Sequence, residues 1–176
     1  MRTTSVPRWG AGPSDLDCVL GDETVPRIVV IADSATDRDT VQKLTLHAVP
    51  PTTVVQFTDE TDGFDAVASV LTRARCGWRF IVIGSEANVG RIAARLMGAG
   101  VIEGEMTMVV TEPPDIRAQR IRDVFCAHCH TVAEAMVAVD GMVECPGCAA
   151  PLIVYHHYSR RQGAYLGFRA DSEDIQ

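Results

Sequence analysis

From residue 27 onward the chain alternates between short apolar runs and segments whose apolar residues recur every three to four positions. RIVVIAD (27–33) is rich in β-branched residues and has the length of a buried strand. The next segment offers Ser34, Thr36 and Asp37 as helix caps and sets Val41, Leu44 and Ala48 at helical spacing. Pro50-Pro51 stops it. TTVVQFTD (52–59) predicts a second strand, and Phe64, Val67, Leu71 and Ala74 predict a helix starting near Asp62. RFIVIGS (79–85) predicts a third strand. Ser85 then caps a helix whose Val89, Ile92, Ala93 and Leu96 form an apolar stripe, with Gly98–Gly100 as its stop. EMTMVVTE (105–112) predicts a fourth strand before Pro113-Pro114. Four strands separated by three helices imply right-handed crossovers and a small parallel sheet with helices on its faces. This is an α/β, Rossmann-like module over residues 25–115.

Ligands of such sheets sit beyond the C-terminal ends of the strands. Asp33, Ser34, Gly84, Ser85 and Glu86 are therefore the candidate ligand loop. WRFIVIGSEANVGRIAARLMGAGVIEGEMTMVV (78–110) resembles the strand–helix–strand of the pyridine-nucleotide domain in ferredoxin reductase-like proteins. The first strand, however, leads into Asp33-Ser34-Ala35-Thr36 and not into a glycine-rich turn that would let backbone approach a pyrophosphate. Glu86 would repel phosphate at a helix N-terminus that otherwise favours anions. These features favour a scaffold or docking module over a nucleotide site, with Asp33 as a helix cap and ligand binding as the alternative. His47, at a helix C-terminus, reads as structural.

The strongest chemical signal lies at 124–154, VFCAHCHTVAEAMVAVDGMVECPGCAAPLIV. Cys126-x-x-Cys129 and Cys145-x-x-Cys148 are separated by 15 residues. Each Cys-x-x-Cys turn aims two thiolates at one point, and two such knuckles facing each other make a tetrahedral S₄ cage suited to one structural Zn²⁺. The same cage suits iron, as in rubredoxin-like electron carriers. A thioredoxin-type redox pair would need only one motif. A closed cage has no open coordination position, so hydrolytic catalysis at the metal is disfavoured. His128 and His130 flank the first knuckle and are expected to sit beside the sulfur ligands or to face solvent, not to replace a cysteine. With Asp140-Gly141 as a turn, the intervening segment is expected to run out and return as the β-hairpin of a zinc ribbon within residues 116–176.

Composition narrows the functions. The 176 residues are 47% hydrophobic and 22% charged, enough for a real core, and the net charge of −7 argues against a nucleic-acid binder. No apolar run reaches the roughly 20 residues of a membrane helix. Residues 1–24 lack the apolar core of a secretory signal and read as a flexible N-terminal arm, so a cytoplasmic location is the expectation. Clustering of four of the six cysteines in one window also fits metal in a reducing compartment.

After the second knuckle comes LIVYHHYSRRQGAYLGFRADSEDIQ, which holds all three tyrosines. Tyr155, His156, His157, Tyr158, Arg160, Arg161 and Tyr165 are of the types enriched where proteins or cofactors meet. Arg160 and Arg161 can hold a carboxylate or propionate bidentately. FCAHCHTVAEAMVAVDGMVECPGCAAPLIVYHHYSRRQGAYLGF resembles the C-terminal part of the small subunit of dimethylamine monooxygenase, a haem-dependent oxidative N-demethylase complex. The resemblance is specific over about 120–171. It implies a hetero-oligomer that uses NADPH and O₂ to convert a secondary amine to a primary amine and formaldehyde. Haem, flavin and a [2Fe–2S] cluster are implied for partner subunits only. This chain has no flavin motif and no plant-type Cys-x₄-Cys-x₂-Cys spacing. It is expected to be a catalytically silent subunit that positions the haem and reductase partners, with an iron electron carrier or a nucleotide-binding regulator as alternatives.

Overall fold

The computed structural model describes residues 13–34, 36, 38–58, 60–112 and 115–170. Its elements are α1 (Pro13–Leu20), β1 (Ile28–Asp33), α2 (Arg38–Leu46), β2 (Thr52–Phe57), α3 (Glu60–Leu71), β3 (Arg79–Gly84), α4 (Glu86–Gly98) and β4 (Met106–Val110). They continue with β5 (Arg120–Cys126), β6 (Val132–Val137), β7 (Met142–Glu144), β8 (Pro151–Ser159) and β9 (Ala164–Arg169). The chain divides into two compact units between residues 113 and 114.

In the first unit four parallel strands form one sheet in the order β2-β1-β3-β4. All six residues of β1 are buried because both faces of the sheet are covered. Val29, Ile31, Phe80 and Val82 point to one face, against Val67 and Val70 of α3 and Val89, Ile92 and Leu96 of α4. Ile28, Val30, Ala32, Ile81 and Ile83 point to the other, against Leu20 of α1 and Val41 of α2. Helix α4 begins and ends as its sequence predicts. Ser85 accepts from the Asn88 N–H, and Gly100, at φ +97°, lets the chain turn while the Val101 N–H reaches back to the Leu96 carbonyl.

One expectation for this unit is corrected. Residues 13–24, read as part of a loose arm, contain helix α1, whose Leu20 is buried, as is Val25 beyond it. Leu16, Val19 and Leu20 stand at helical spacing and pack on the sheet. Residues 1–12 of that arm lie outside the described residues.

The second unit is a five-stranded sheet in the order β6-β5-β9-β8-β7. β5 pairs antiparallel with β6, and β7 antiparallel with β8. β9 joins the two hairpins, running parallel to β5 and antiparallel to β8. Here too the sequence expectation needs correcting. The strands between the two Cys-x-x-Cys motifs, β6 and β7, do not pair with each other but lie at opposite edges of the sheet. Asp140, at φ +68°, and Gly141 do turn the chain. The Asp140 N–H donates to the Val154 carbonyl, and the Val154 N–H donates to the Gly141 carbonyl, so the turn is fixed onto β8. Val124, Val137, Leu152, Val154 and Tyr165 make the core of this unit together with Cys126 and Cys145. Buried Arg122 lies across the Tyr165 ring at 5.5 Å and donates to the carbonyls of Val137 and Ala118.

Candidate metal centre

The two cysteine motifs are the turns of the two hairpins. Cys126 ends β5 and Val132 starts β6, whereas Glu144 ends β7 and Pro151 starts β8. The two turns repeat one geometry. The Cys126 N–H donates to the Thr131 carbonyl at 2.8 Å and the Cys145 N–H to the Ala150 carbonyl at 2.9 Å. Four residues after each leading cysteine, the N–H of His130 or Ala149 returns to that cysteine's carbonyl. Both of those residues sit in the left-handed region, at φ 65° and 55°. Such a turn points its two thiols to one side, and the sheet sets the two turns facing each other.

The four sulfur atoms consequently lie within 4.8 Å of one another. Cys126 and Cys148 Sγ are 3.9 Å apart, and Cys129 and Cys145 Sγ 3.5 Å apart. A tetrahedral ion with bonds near 2.3 Å needs sulfur–sulfur edges of about 3.8 Å, whereas a disulfide would need about 2.05 Å. All four cysteines are free thiols. The donor set and spacing fit one soft-ligand metal ion. His128 and His130 stay outside the sulfur group, and His130 stacks on Phe125 at 5.6 Å.

The surroundings prepare these thiols unequally. Thr131 lies 3.3 Å by its hydroxyl from Cys129 Sγ. That hydroxyl and the Thr131 N–H, both able to donate to a thiolate, bring the Cys129 thiol down to about 6. At Cys148 the Ala150 N–H also favours the thiolate. Burial and the three neighbouring sulfurs outweigh it and push this thiol up to about 12. One thiolate forms readily, and adjacent sulfurs then resist further charge until a cation supplies the balance. Gly147 gives the second turn its room, since a Cβ there would overlap the Thr131 hydroxyl and lie 3.2 Å from Cys129 Sγ.

The candidate ligand loop of the first unit is filled by its own hydrogen bonds. Asp33 is buried, with 3% of its surface exposed. Its Oδ1 accepts from the N–H and hydroxyl of Thr36, and its Oδ2 from the Ser85 N–H and the Asn88 amide, all at 2.8–3.0 Å. Asp33 thus ties β1 to the start of α4, beyond the single helix cap expected of it. Burial pushes its carboxyl up, but these donors outweigh it and hold the group below its ordinary 3.8. Gly84 permits the approach, because a Cβ there would lie 2.6 Å from Asp33 Cγ. The Glu86 N–H donates to the Glu112 carboxylate at 2.6 Å, and Glu86 is itself buried. Ser34 is exposed.

Comparison with known proteins agrees with the sequence resemblance. The C-terminal domain of DmmA-like dimethylamine monooxygenase subunits matches residues 123–168, which span both cysteine turns. A relative from Ectopseudomonas mendocina (strain ymp), the heme-dependent oxidative N-demethylase delta subunit, is 31% identical over 175 residues, covering 96% of this chain and 90% of the relative. The chain belongs to the delta-subunit family of haem-dependent oxidative N-demethylases. No solved structure matches it.

In this delta-subunit chain the aromatic and basic tail divides into two parts. Tyr165 is core, 1% exposed and edge-on to half-buried Tyr158 at 5.0 Å, so it is not available to a partner. The β8–β9 register instead skips from Val154–Gly167 to Tyr158–Tyr165, leaving Tyr155, His156 and His157 in a bulge. Their rings cluster, with centroids 4.4–5.4 Å apart, and Tyr155 meets Phe168 edge-on at 5.9 Å. Arg160 and Arg161 are exposed in the turn beyond β8. Thr131, Gly147, Asn88 and Glu112 complete these sites and were not singled out from sequence. Gly147 sits between the second pair of cysteines and Thr131 two residues after the first, which is the signal that marks them.

Proposed function

We propose that this chain is a zinc-holding, catalytically silent subunit of an oxidative N-demethylase. The complex would use NADPH and O₂ to convert a secondary amine such as dimethylamine to a primary amine and formaldehyde. The observation that carries this reading is the convergence of four thiols from two hairpin turns within 4.8 Å. Four protein ligands saturate a tetrahedral ion, leaving no position for substrate or O₂. Zinc there would cross-link the β5–β6 hairpin to the β7–β8 hairpin, as in a zinc ribbon, and stiffen a unit whose core is partly made of the ligand cysteines themselves.

The self-filled loop around Asp33 supports a scaffold role for the Rossmann-like unit. Carboxylates of this chain already take the Ser85 and Glu86 N–H groups that a nucleotide phosphate would use. Haem, flavin, [2Fe–2S] and NADPH belong in this reading to partner subunits in a cytoplasmic hetero-oligomer. The bulge rings with Arg160 and Arg161 are offered to those partners. Titration of the purified chain with NADPH tests the scaffold role, and saturable binding would refute it. The sulfur cage also admits iron, as in a rubredoxin-like carrier. The visible spectrum decides, because a zinc S₄ site is colourless and an iron one is not.

A further inference from the structure

The two cysteine turns repeat each other position by position, so a departure from the repeat stands out. Cys126-Ala127-His128-Cys129-His130-Thr131 matches Cys145-Pro146-Gly147-Cys148-Ala149-Ala150. The leading cysteine of each turn donates its N–H to the carbonyl of the last residue, Thr131 in one and Ala150 in the other. Both leading cysteines are buried, whereas the trailing ones, Cys129 and Cys148, are half-buried and so nearer to solvent. Each trailing sulfur takes a backbone N–H, from Thr131 or from Ala150. Two side chains break this repeat, and both serve one contact. Where the second turn has the methyl of Ala150, the first has the hydroxyl of Thr131, 3.3 Å from Cys129 Sγ. Where the first turn has exposed His128, the second has Gly147. A Cβ at Gly147 would overlap that hydroxyl and lie 3.0 Å from Thr131 Cβ, so the glycine leaves the slot in which the hydroxyl stands.

Thr131 is held for this contact from both sides of its backbone. Its carbonyl accepts from the Cys126 N–H, and its own N–H is directed to Cys129. That leaves χ1 as the freedom of a β-branched side chain, and the slot beside Gly147 settles it. Four thiolates around a divalent ion leave an excess of negative charge on sulfur, which hydrogen-bond donors aimed at the sulfurs disperse. A metal-bound thiolate carries no proton, so between Thr131 and Cys129 only the hydroxyl can donate. We infer that Thr131 is a positioning residue of the metal centre, its hydroxyl donating to the metal-bound Cys129 sulfur and slowing loss of the ion. This rests on the reading of the four thiols as a metal cage and names the side chain that makes its two halves unequal.

The test separates the hydroxyl of Thr131 from its bulk. Thr131→Val keeps the shape and removes the donor, whereas Thr131→Ser keeps the donor and removes the methyl. The full chain is loaded with Zn²⁺ alone, and transfer of the ion to an excess of chelator is followed in time. Thr131→Val is expected to release Zn²⁺ roughly tenfold faster than the native chain, the usual scale for a partner that hydrogen-bonds a metal ligand. Thr131→Ser is expected to release it close to the native rate. Loading with Co²⁺ gives a second readout, the thiolate-to-metal charge-transfer band. Removing the donor raises the sulfur lone pair, so the band should move to longer wavelength in Thr131→Val and stay in place in Thr131→Ser. A side chain that only fills space predicts the reverse, with the valine neutral and the serine leaky. Should Thr131→Val fail to fold, Thr131→Ser and Thr131→Ala, which differ by the hydroxyl alone, carry the same comparison. Native release and a native band in Thr131→Val, or equal release from the Ser and Ala variants, would overturn the inference while leaving the metal cage intact. Failure of the unaltered chain to hold either ion would sink both.

Discussion

Asp33→Asn is a nearly isosteric change with a consequence that can be worked from the structure. Each carboxylate oxygen accepts two hydrogen bonds, one pair from Thr36 and the other from Ser85 and Asn88. An amide keeps one acceptor and turns the other into a donor facing two donors. Two charge-assisted bonds at about 1.5–3 kcal/mol each are lost and a buried N–H is left unpaired, so the cost is about 3–5 kcal/mol. Against a typical stability of 5–15 kcal/mol for a domain this is large. Trp78 packs against the core of the α/β unit, and in a Trp9→Phe background it is the one tryptophan of the chain, so its fluorescence during urea unfolding reports that unit. The pH dependence has a definite sign. The folded carboxyl is held below 3.8, so its stabilisation is complete above 3.8 and is lost as pH falls through the folded value. The native chain and Asp33→Asn should therefore converge in strongly acidic solution and differ most at neutrality. A neutral-pH loss under about 1 kcal/mol, or a gap that widens on acidification, would refute the account of this loop.

Other outcomes follow from the same geometry. Gly84→Ala should destabilise the α/β unit about as much as Asp33→Asn, since its Cβ displaces that carboxylate; urea midpoints measure it. Ala149→Gly relieves a left-handed alanine and should be neutral or stabilising by up to about 1 kcal/mol, read as a raised thermal midpoint of the metal-loaded chain. His130→Gly, which also loses the stack on Phe125, should gain less. Gly147→Ala should weaken metal binding at least tenfold in chelator competition, because the added methyl collides with Thr131 beside Cys129. Cys126→Ser or Cys148→Ser should lose the metal and the slow hydrogen exchange of residues 120–169, leaving β1 and β3 protected.

Much of this was legible in the chain because local pattern and tertiary role agree. The β-branched run at 28–33 is a central strand, and Ser85 and Gly100 begin and end α4 where the sequence places them. The cysteine spacing pointed to a single cluster, and the four sulfurs do converge. What remained hidden was non-local. Nothing in the order of residues says that β6 pairs backward with β5 and β7 forward with β8, because both pairings satisfy the same turn chemistry. Helix α1 is short, begins at Pro13 and is preceded by Gly10 and Gly12, so its Leu16–Val19–Leu20 spacing was hidden by breakers. Tyr165 and Tyr155 are the same residue type ten positions apart; the bulge between Val154 and Tyr158 exposes one while the inward register buries the other.

The most direct measurement is elemental analysis of the purified full chain together with its visible spectrum and a thiol count before and after denaturation. The account predicts one zinc per chain, no visible absorption, and four thiols that react only once the metal is removed. A well-folded chain with no bound metal and four freely reactive thiols at 126, 129, 145 and 148 would contradict it.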